Sequence, residues 1–113
     1  MDANTVILFT RSGLGDAPAE LQQILAAKFL ALILQSGALP AKILFYTDGV
    51  RLACSGSPVI DSLHALEAQG VELVLCQTCL TFFGLADQLQ AGVVGGMGDI
   101  LKALGKAGNV ISV

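Results

Sequence analysis

The sequence predicts an α/β fold in which a five-stranded, mainly parallel sheet lies between two layers of helices. Short apolar segments of strand length alternate with longer helical segments along the whole chain, and this alternation is typical of parallel sheets. Turn-forming residues separate the segments, and no repeat, linker or low-complexity tract interrupts them. We therefore expect one domain that spans residues 1–113.

The first segments are a buried strand and a long helix. Residues 5–10 (TVILFT) are apolar and β-branched, which favours a parallel strand covered on both faces. A loop follows at 11–16, and Asp16 is predicted to cap a helix over residues 17–35. Gly37 is predicted to end that helix in the left-handed conformation.

A second strand and a second helix follow in the same order. The run KILFYT predicts a strand at 42–47, and the Asp-Gly pair at 48–49 turns the chain out of it. The Ser-Pro pair at 57–58 predicts the N-cap and first residue of a helix that ends near Gly70.

The second half of the chain repeats the alternation with shorter segments. They are predicted as strand 71–76, a short helix that Thr78 or Thr81 begins and Gly84 ends, a helical turn at 85–90, strand 93–94, helix 99–106 and strand 110–113. Right-handed crossovers then place one set of loops at a single edge of the sheet, namely 11–16, 48–56, 76–84 and 95–98. All three cysteines lie in these loops or at their boundaries.

The composition predicts a self-associating protein that binds neither nucleic acid nor membranes. Apolar residues make up 54% of the chain, and the mean hydropathy is +0.74, so we expect a homo-oligomer. Residues 25–34 are apolar on nearly every side of the predicted helix, which favours a position between the core and another subunit. The net charge is −3, and the six basic residues are scattered, which disfavours a nucleic-acid partner.

The N-terminus and the apolar segments predict a cytoplasmic location. No basic region and apolar stretch of a secretion signal is visible at the N-terminus. The longest apolar segment, 24–34, is interrupted by Lys28 and is shorter than the roughly 20 residues that span a bilayer. An odd number of cysteines, three, also favours free thiols in a reducing compartment.

The most informative residues are the cysteines of a C-x-x-C motif. Cys76 and Cys79 lie where a predicted strand meets a helix, so that their sulfurs can approach each other and helix amides can favour the thiolate. A thiolate can take a sulfane sulfur from a donor and become a persulfide. Cys54 lies in the neighbouring loop, and Arg11 and Arg51 are the nearby cations that could stabilise an anionic persulfide. The alternative is that the cysteines are small, buried apolar residues.

Metal and nucleotide sites are weaker interpretations. The residues that could form a Cys3His zinc site are Cys54, His64, Cys76 and Cys79. However, His64 is about six residues into its predicted helix, roughly 9 Å from the loop edge. The Gly-x-Gly segments at 13–15 and 96–98 lack the third glycine of a dinucleotide loop. We therefore expect no cofactor and no metal.

Several segments together resemble the DsrE/DsrF-like family. They are the G-x-G-D turn at 13–16, FYTDGVRLACSGS at 45–57, CQTCLTFFGL at 76–85, VGGMGDI at 94–100 and NVISV at 109–113. The resemblance is closest to the C-terminal DsrE-like domain of YedF-type proteins, described as sulfurtransferase-like selenium metabolism proteins.

The resemblance implies a three-layer α/β/α fold, an oligomer and a role in sulfur relay. In that family a cysteine at the end of the third strand accepts sulfane sulfur from a TusA-like carrier, and the matching residue here is Cys76. Cys79 matches the second cysteine of the CxTC variant, and Cys54 matches the loop cysteine of the YedF group. The YedF group carries a TusA-like N-terminal domain, so the resemblance implies that this chain is a stand-alone version or that the carrier is a separate protein.

Two functional hypotheses follow from the sequence. The first is a sulfurtransferase-type sulfur carrier in which Cys76 bears the persulfide, Cys79 is the resolving or second acceptor thiol, and Cys54 is auxiliary. The second is a non-catalytic oligomeric binding or scaffold module in which all three cysteines only fill space.

Overall fold

A fully parallel sheet forms the centre of the structure, a computed structural model that describes residues 1–113. Its five strands are β1 (Thr5–Phe9), β2 (Lys42–Phe45), β3 (Glu72–Cys76), β4 (Val93–Gly95) and β5 (Asn109–Ser112). They are arranged in the order β4-β3-β2-β1-β5, and every neighbouring pair is parallel. The α/β prediction is therefore confirmed.

Helices connect the strands and cover both faces of the sheet. They are α1 (Ala19–Ser36), a 3₁₀ helix (Thr47–Ala53), α2 (Ile60–Ala68), α3 (Gln77–Phe82) and α4 (Met97–Lys106). Strands β1 to β4 are added in one direction, whereas β5 returns to the other side of β1. Because parallel crossovers are right-handed, α1 and α2 lie on one face and α4 lies on the other. None of these helices has both the length and the apolar character needed to cross a bilayer.

Aromatic side chains pack together where β1 and β2 end. Phe9 and Phe45 are fully buried, and their rings stack with centroids 5.5 Å apart. Phe29 of α1 meets the Phe9 ring edge-on, at 6.3 Å. These aromatic contacts fix the carboxyl ends of the two strands, so the segments that follow them start from a rigid support.

The long helix begins later than the sequence predicted. Its first residue is Ala19, Pro18 occupies the N-cap position, and no side chain caps the helix, so the assignment of Asp16 as N-cap was wrong. The reason is that Pro18 has an extended ψ of 143°, which places Asp16 outside the first turn. The predicted end is confirmed, since Gly37 is left-handed with φ of 70°.

The chain after β2 also departs from the prediction. The strand ends at Phe45 instead of continuing to residue 47, and Thr47 begins the 3₁₀ helix. This helix lies against the end of β1, where a Cβ on Gly49 would be 2.2 Å from the Phe9 carbonyl oxygen. The absence of a side chain at Gly49 therefore permits the turn.

Two smaller predictions were also wrong, namely the start of α2 and the helical turn at 85–90. Helix α2 begins at Ile60 rather than at the Ser-Pro pair, because the Ser57 hydroxyl accepts the Val59 N–H at 3.2 Å in a local turn. Residues 85–90 form turns instead of a helix. There, Leu89 forms an antiparallel bridge with Cys54, which gives the backbone of this segment partners outside a helix.

Candidate functional site

The segments that follow β2 and β3 meet at the carboxyl edge of the sheet. Phe45 and Leu75 are partners in neighbouring parallel strands, so both strands end side by side. The 3₁₀ helix follows β2, and α3 follows β3 directly. Their point of contact is a hydrogen bond in which the Thr47 backbone N–H donates to Cys79 Sγ at 3.0 Å. The sheet thus brings two segments, 32 residues apart in the sequence, to one thiol.

Cys79 is the partly exposed member of the three cysteines. Burial raises the pKa of its thiol, and the neighbouring Cys76 thiol and Asp48 carboxylate raise it further. The Thr47 N–H has the opposite effect and lowers this pKa, because a donor stabilises a thiolate more than a thiol. The structure therefore provides one donor that partly offsets the burial of this sulfur, and the pKa of the Cys79 thiol remains raised overall.

Cys76 is buried beside Cys79. It is the last residue of β3, it occupies the N-cap position of α3, and its exposed fraction is 0%. Its thiol is close enough to Cys79 to influence the Cys79 pKa. A large sulfur donor that approaches from solvent would therefore meet Cys79 before Cys76.

Cys54 is separate from this pair. Its thiol is buried and donates to the Val50 carbonyl oxygen at 3.3 Å, and no hydrogen bond joins it to Cys76 or Cys79. Burial raises the pKa of the Cys54 thiol, and the Arg51 charge partly opposes that increase. The predicted trio of cysteines is thus a close pair and a third thiol bonded to its own loop.

Arg51 connects the 3₁₀ helix to the end of α3. Its Nε donates to the Asp48 carboxylate at 2.9 Å, and its guanidinium lies 4.3 Å above the centre of the Phe83 ring. The second predicted cation, Arg11, is exposed and takes part in neither salt bridge of the structure. The charge of Arg51 is therefore shared between a salt bridge within the 3₁₀ helix and a contact with the Phe83 ring at the end of α3.

The four residues of the potential zinc set do not converge. His64 is exposed, and its Nε2 lies 2.7 Å from the Gln90 carbonyl oxygen. No group of three or more His, Cys, Asp or Glu side chains in residues 1–113 is arranged to hold a metal ion. The ring of His64 instead connects α2 to the segment before β4.

Thr47 is the residue of the site that sequence reasoning missed. It is the only non-glycine residue with positive φ, at 50°. Its hydroxyl can donate to the Thr10 carbonyl oxygen and to the Tyr46 carbonyl oxygen. The one local signal was the Asp-Gly turn after it, which predicts a change of direction but no contact with a cysteine.

Helix α3 also carries an exposed apolar residue. Gln77, Thr78, Thr81 and Phe82 line a shallow depression on α3. The Phe82 side chain is 84% exposed, the largest value among the exposed apolar residues. A large aromatic ring is therefore available to a partner on the helix that contains Cys79.

Comparison with solved structures identifies the same fold elsewhere. The YchN protein of E. coli has 24% sequence identity and a TM-score of 0.72, and the match covers all of both chains. MTH1491 of Methanobacterium thermoautotrophicum, of unknown function, has 19% identity and a TM-score of 0.70 over 96% of this chain and 97% of its own. BT1422 of Bacteroides thetaiotaomicron, also of unknown function, has 20% identity and a TM-score of 0.65 over 100% and 98%.

These solved structures establish a shared fold. No curated protein matches the chain. The model of the DsrE/DsrF-like family matches residues 5–113, which is nearly the whole sequence. The chain therefore belongs to the DsrE/DsrF-like family.

Proposed function

We propose that this protein is a sulfurtransferase-type sulfur-relay protein that carries sulfane sulfur as a cysteine persulfide. The observation that supports the proposal best is the Thr47 N–H aimed at Cys79 Sγ, with the Cys76 thiol beside it. A polarised thiol with a second thiol within reach is what repeated sulfur transfer needs, because in each transfer one thiolate attacks and another thiolate leaves.

The transfer step is a thiol exchange with no net oxidation. A cysteine thiolate attacks the outer sulfur of a donor persulfide, a new S–S bond forms, and the S–S bond of the donor breaks. The donor leaves as a thiolate and takes up a proton. The product is a persulfide on the protein, and the same step in reverse passes the sulfur to an acceptor.

The two thiols of the pair have different roles in this proposal. Cys79 is the thiol that solvent reaches, so sulfur enters or leaves there as a second acceptor or resolving group. Cys76 bears the stored persulfide, since its burial keeps a reactive sulfur away from other nucleophiles. Cys54 is auxiliary, because its bond to the Val50 carbonyl keeps it outside the pair.

The proposal extends to the setting of the protein. We propose a YedF-like role with a TusA-like sulfur carrier as partner, in a reducing cytoplasm, with selenium as an alternative cargo to sulfur. Exposed Phe82, on the same short helix as Cys79, supports a protein partner, since aromatic residues are enriched at interfaces. Three free thiols support a reducing compartment.

A second candidate function is a non-catalytic oligomeric binding or scaffold module. The complete burial of Cys76 and the near-complete burial of Cys54, at 0% and 2% exposure, favour it, because such thiols also serve as packing residues. This alternative predicts that native protein resists alkylation at all three cysteines, whereas sulfur relay requires at least Cys79 to react.

Intact-mass spectrometry after incubation with a low-molecular-weight persulfide donor tests the proposal. We expect the wild-type protein and Cys54→Ser, the matched control, to gain the mass of one sulfur atom. We expect Cys76→Ser to lose the stable adduct and Cys79→Ser to gain it more slowly. No gain by the wild type, or a gain that remains in the Cys76→Ser/Cys79→Ser double variant, would contradict the proposal.

A further inference from the structure

We infer that Thr47 is a positioning residue whose hydroxyl holds a left-handed backbone turn and thereby directs the Thr47 N–H at Cys79. The Thr47 N–H would then be the hydrogen-bond donor that stabilises a Cys79 thiolate. The functional meaning of this role rests on the proposed sulfur relay. The test measures only the reactivity of the Cys79 thiol and does not require sulfur transfer.

The backbone conformation of Thr47 is unusual for its residue type. Thr47 has φ of 50°, in a region that β-branched residues rarely adopt, because Cβ crowds the neighbouring carbonyl. Six glycines have positive φ in this chain, but no other side-chain-bearing residue does. Strain of this kind persists only where surrounding contacts compensate for it, and such positions cluster at functional sites.

A hydrogen bond of the Thr47 hydroxyl compensates for this strain. The Thr47 hydroxyl donates to the Thr10 carbonyl oxygen, 37 residues earlier, with the Tyr46 carbonyl as an alternative acceptor at 2.7 Å. Thr10 follows β1, and Thr47 follows β2, so the hydroxyl connects the ends of two adjacent strands. A valine would have almost the same shape but could not form this connection.

The backbone N–H of Thr47 points at the Cys79 sulfur. With the hydroxyl bonded, the Thr47 peptide presents its N–H to Cys79 Sγ at 3.0 Å. A relaxed, negative φ would rotate this peptide relative to the 3₁₀ helix that packs against α3. A donor that is already oriented stabilises a thiolate without reorganisation when the charge forms. The Thr47 hydroxyl therefore acts on the sulfur through the backbone and does not touch it.

Site-resolved alkylation of Cys79 over a range of pH tests the inference. In Thr47→Val we expect the alkylation profile of Cys79 to move to higher pH. At slightly alkaline pH we expect a rate lower by roughly tenfold, the effect of one hydrogen bond to a charged group. Thr47→Ser keeps the hydroxyl, and we expect it to restore a profile close to that of the wild type.

The outcomes separate a positioning role from a structural one. A wild-type profile in Thr47→Val, or equal shifts in the Ser and Val variants, would overturn the inference. Urea unfolding of each variant confirms that the comparison is made on folded protein. If Thr47→Val does not fold, Thr47→Ala takes its place. Alanine also lacks the hydroxyl, and it has no branched Cβ that adds strain at positive φ.

The same samples distinguish this inference from the proposed function. A shifted Cys79 profile in Thr47→Val together with no persulfide on the wild type would refute the sulfur-relay proposal and leave the positioning role intact. Normal persulfide uptake together with an unshifted profile would refute the positioning role and leave the sulfur-relay proposal intact.

Discussion

Single backbone positions decide whether the Cys79 thiol meets a donor. Thr47 provides the N–H, and Gly49, two residues later, lets the 3₁₀ helix approach the end of β1. Tyr46 completes the arrangement, since its N–H donates to the Phe9 carbonyl at 3.1 Å and its own carbonyl accepts the Gly49 N–H at 3.0 Å. The site is therefore built as much from backbone groups as from side chains.

We predict that Gly49→Ala destabilises the protein by about 1–3 kcal/mol, the usual effect of overpacking. The new Cβ would lie 2.2 Å from the oxygen and 2.8 Å from the carbon of the Phe9 carbonyl, and these are backbone atoms of a buried strand. Urea unfolding at neutral pH measures the change. Gly105→Ala is the matched control, because a Cβ there meets nothing within 4 Å and the position is inside α4.

The control has an expected sign of its own. Alanine is more stable than glycine in a helix interior by about 0.5–1 kcal/mol, and this is an upper bound for Gly105 in the last turn of α4. Gly105→Ala should therefore increase the free energy of unfolding while Gly49→Ala decreases it. Unchanged stability in Gly49→Ala would show that the close approach of the 3₁₀ helix to β1 is not a constraint.

At the level of elements, α1 has two apolar faces. The inner face is buried against the sheet and contains Ala26, Leu30 and Ile33. The outer face is exposed, and its apolar members include Leu21, Ile24, Leu25 and Leu32. The helical spacing of three and four residues aligns them in one stripe interrupted only by Lys28. A stripe of this kind on one helix supports the expected homo-oligomer.

We predict that the protein self-associates through this stripe and that Leu32→Glu shifts it to the monomer of 11.6 kDa. The Leu32 side chain is 63% exposed, so a charge there leaves the monomer nearly unaffected but opposes burial in an interface. Light scattering coupled to size-exclusion chromatography measures the mass. Gln69→Glu adds the same charge at an exposed polar position at the end of α2, outside the stripe, and should keep the oligomer. A monomeric wild type would contradict the prediction.

Helix α3 shows how short elements depend on their neighbours. It has six residues, too few for an isolated helix to be stable in water. Leu80 anchors it in the core, and the Arg51 guanidinium covers the Phe83 ring at its end. The position of Cys79 therefore depends on contacts with the 3₁₀ helix rather than on α3 itself.

Two thiols with a raised pKa, those of Cys54 and Cys79, make the stability of the whole molecule depend on pH. Burial is the largest cause of the raised pKa of Cys54 and of Cys79. An unfolded cysteine ionises at about pH 8.5, whereas these two folded thiols keep their protons to higher pH. Their contribution to stability is thus complete below that pH and is lost as pH rises through the folded pKa values.

We predict that the free energy of unfolding falls between neutral pH and about pH 10 under reducing conditions, because the unfolded chain releases these protons first. Urea unfolding at several pH values measures the slope. Cys54→Ala removes one of the two groups with raised pKa and should reduce the slope, whatever its effect at neutral pH. A slope that is equal in both proteins would contradict the assignment to Cys54.

The sequence by itself determined the order of strands and helices, the end of α1 at Gly37 and the position of the C-x-x-C motif where β3 meets α3. These features are local, because apolar periodicity and the conformational preference of glycine act over a few residues. The same reasoning misplaced the start of α1 and extended β2 by two residues. Local preference there competed with packing against distant segments.

Only the tertiary structure decided which thiol is reachable and which has a donor. The sequence separates the C-x-x-C pair from Cys54 but says nothing of their exposure, and the fold buries Cys54 and Cys76 and turns an N–H toward Cys79. The responsible contacts join residues 32 and 37 positions apart. No local pattern encodes them, since the burial of a sulfur and the direction of a peptide N–H depend on segments that meet only when the sheet has formed.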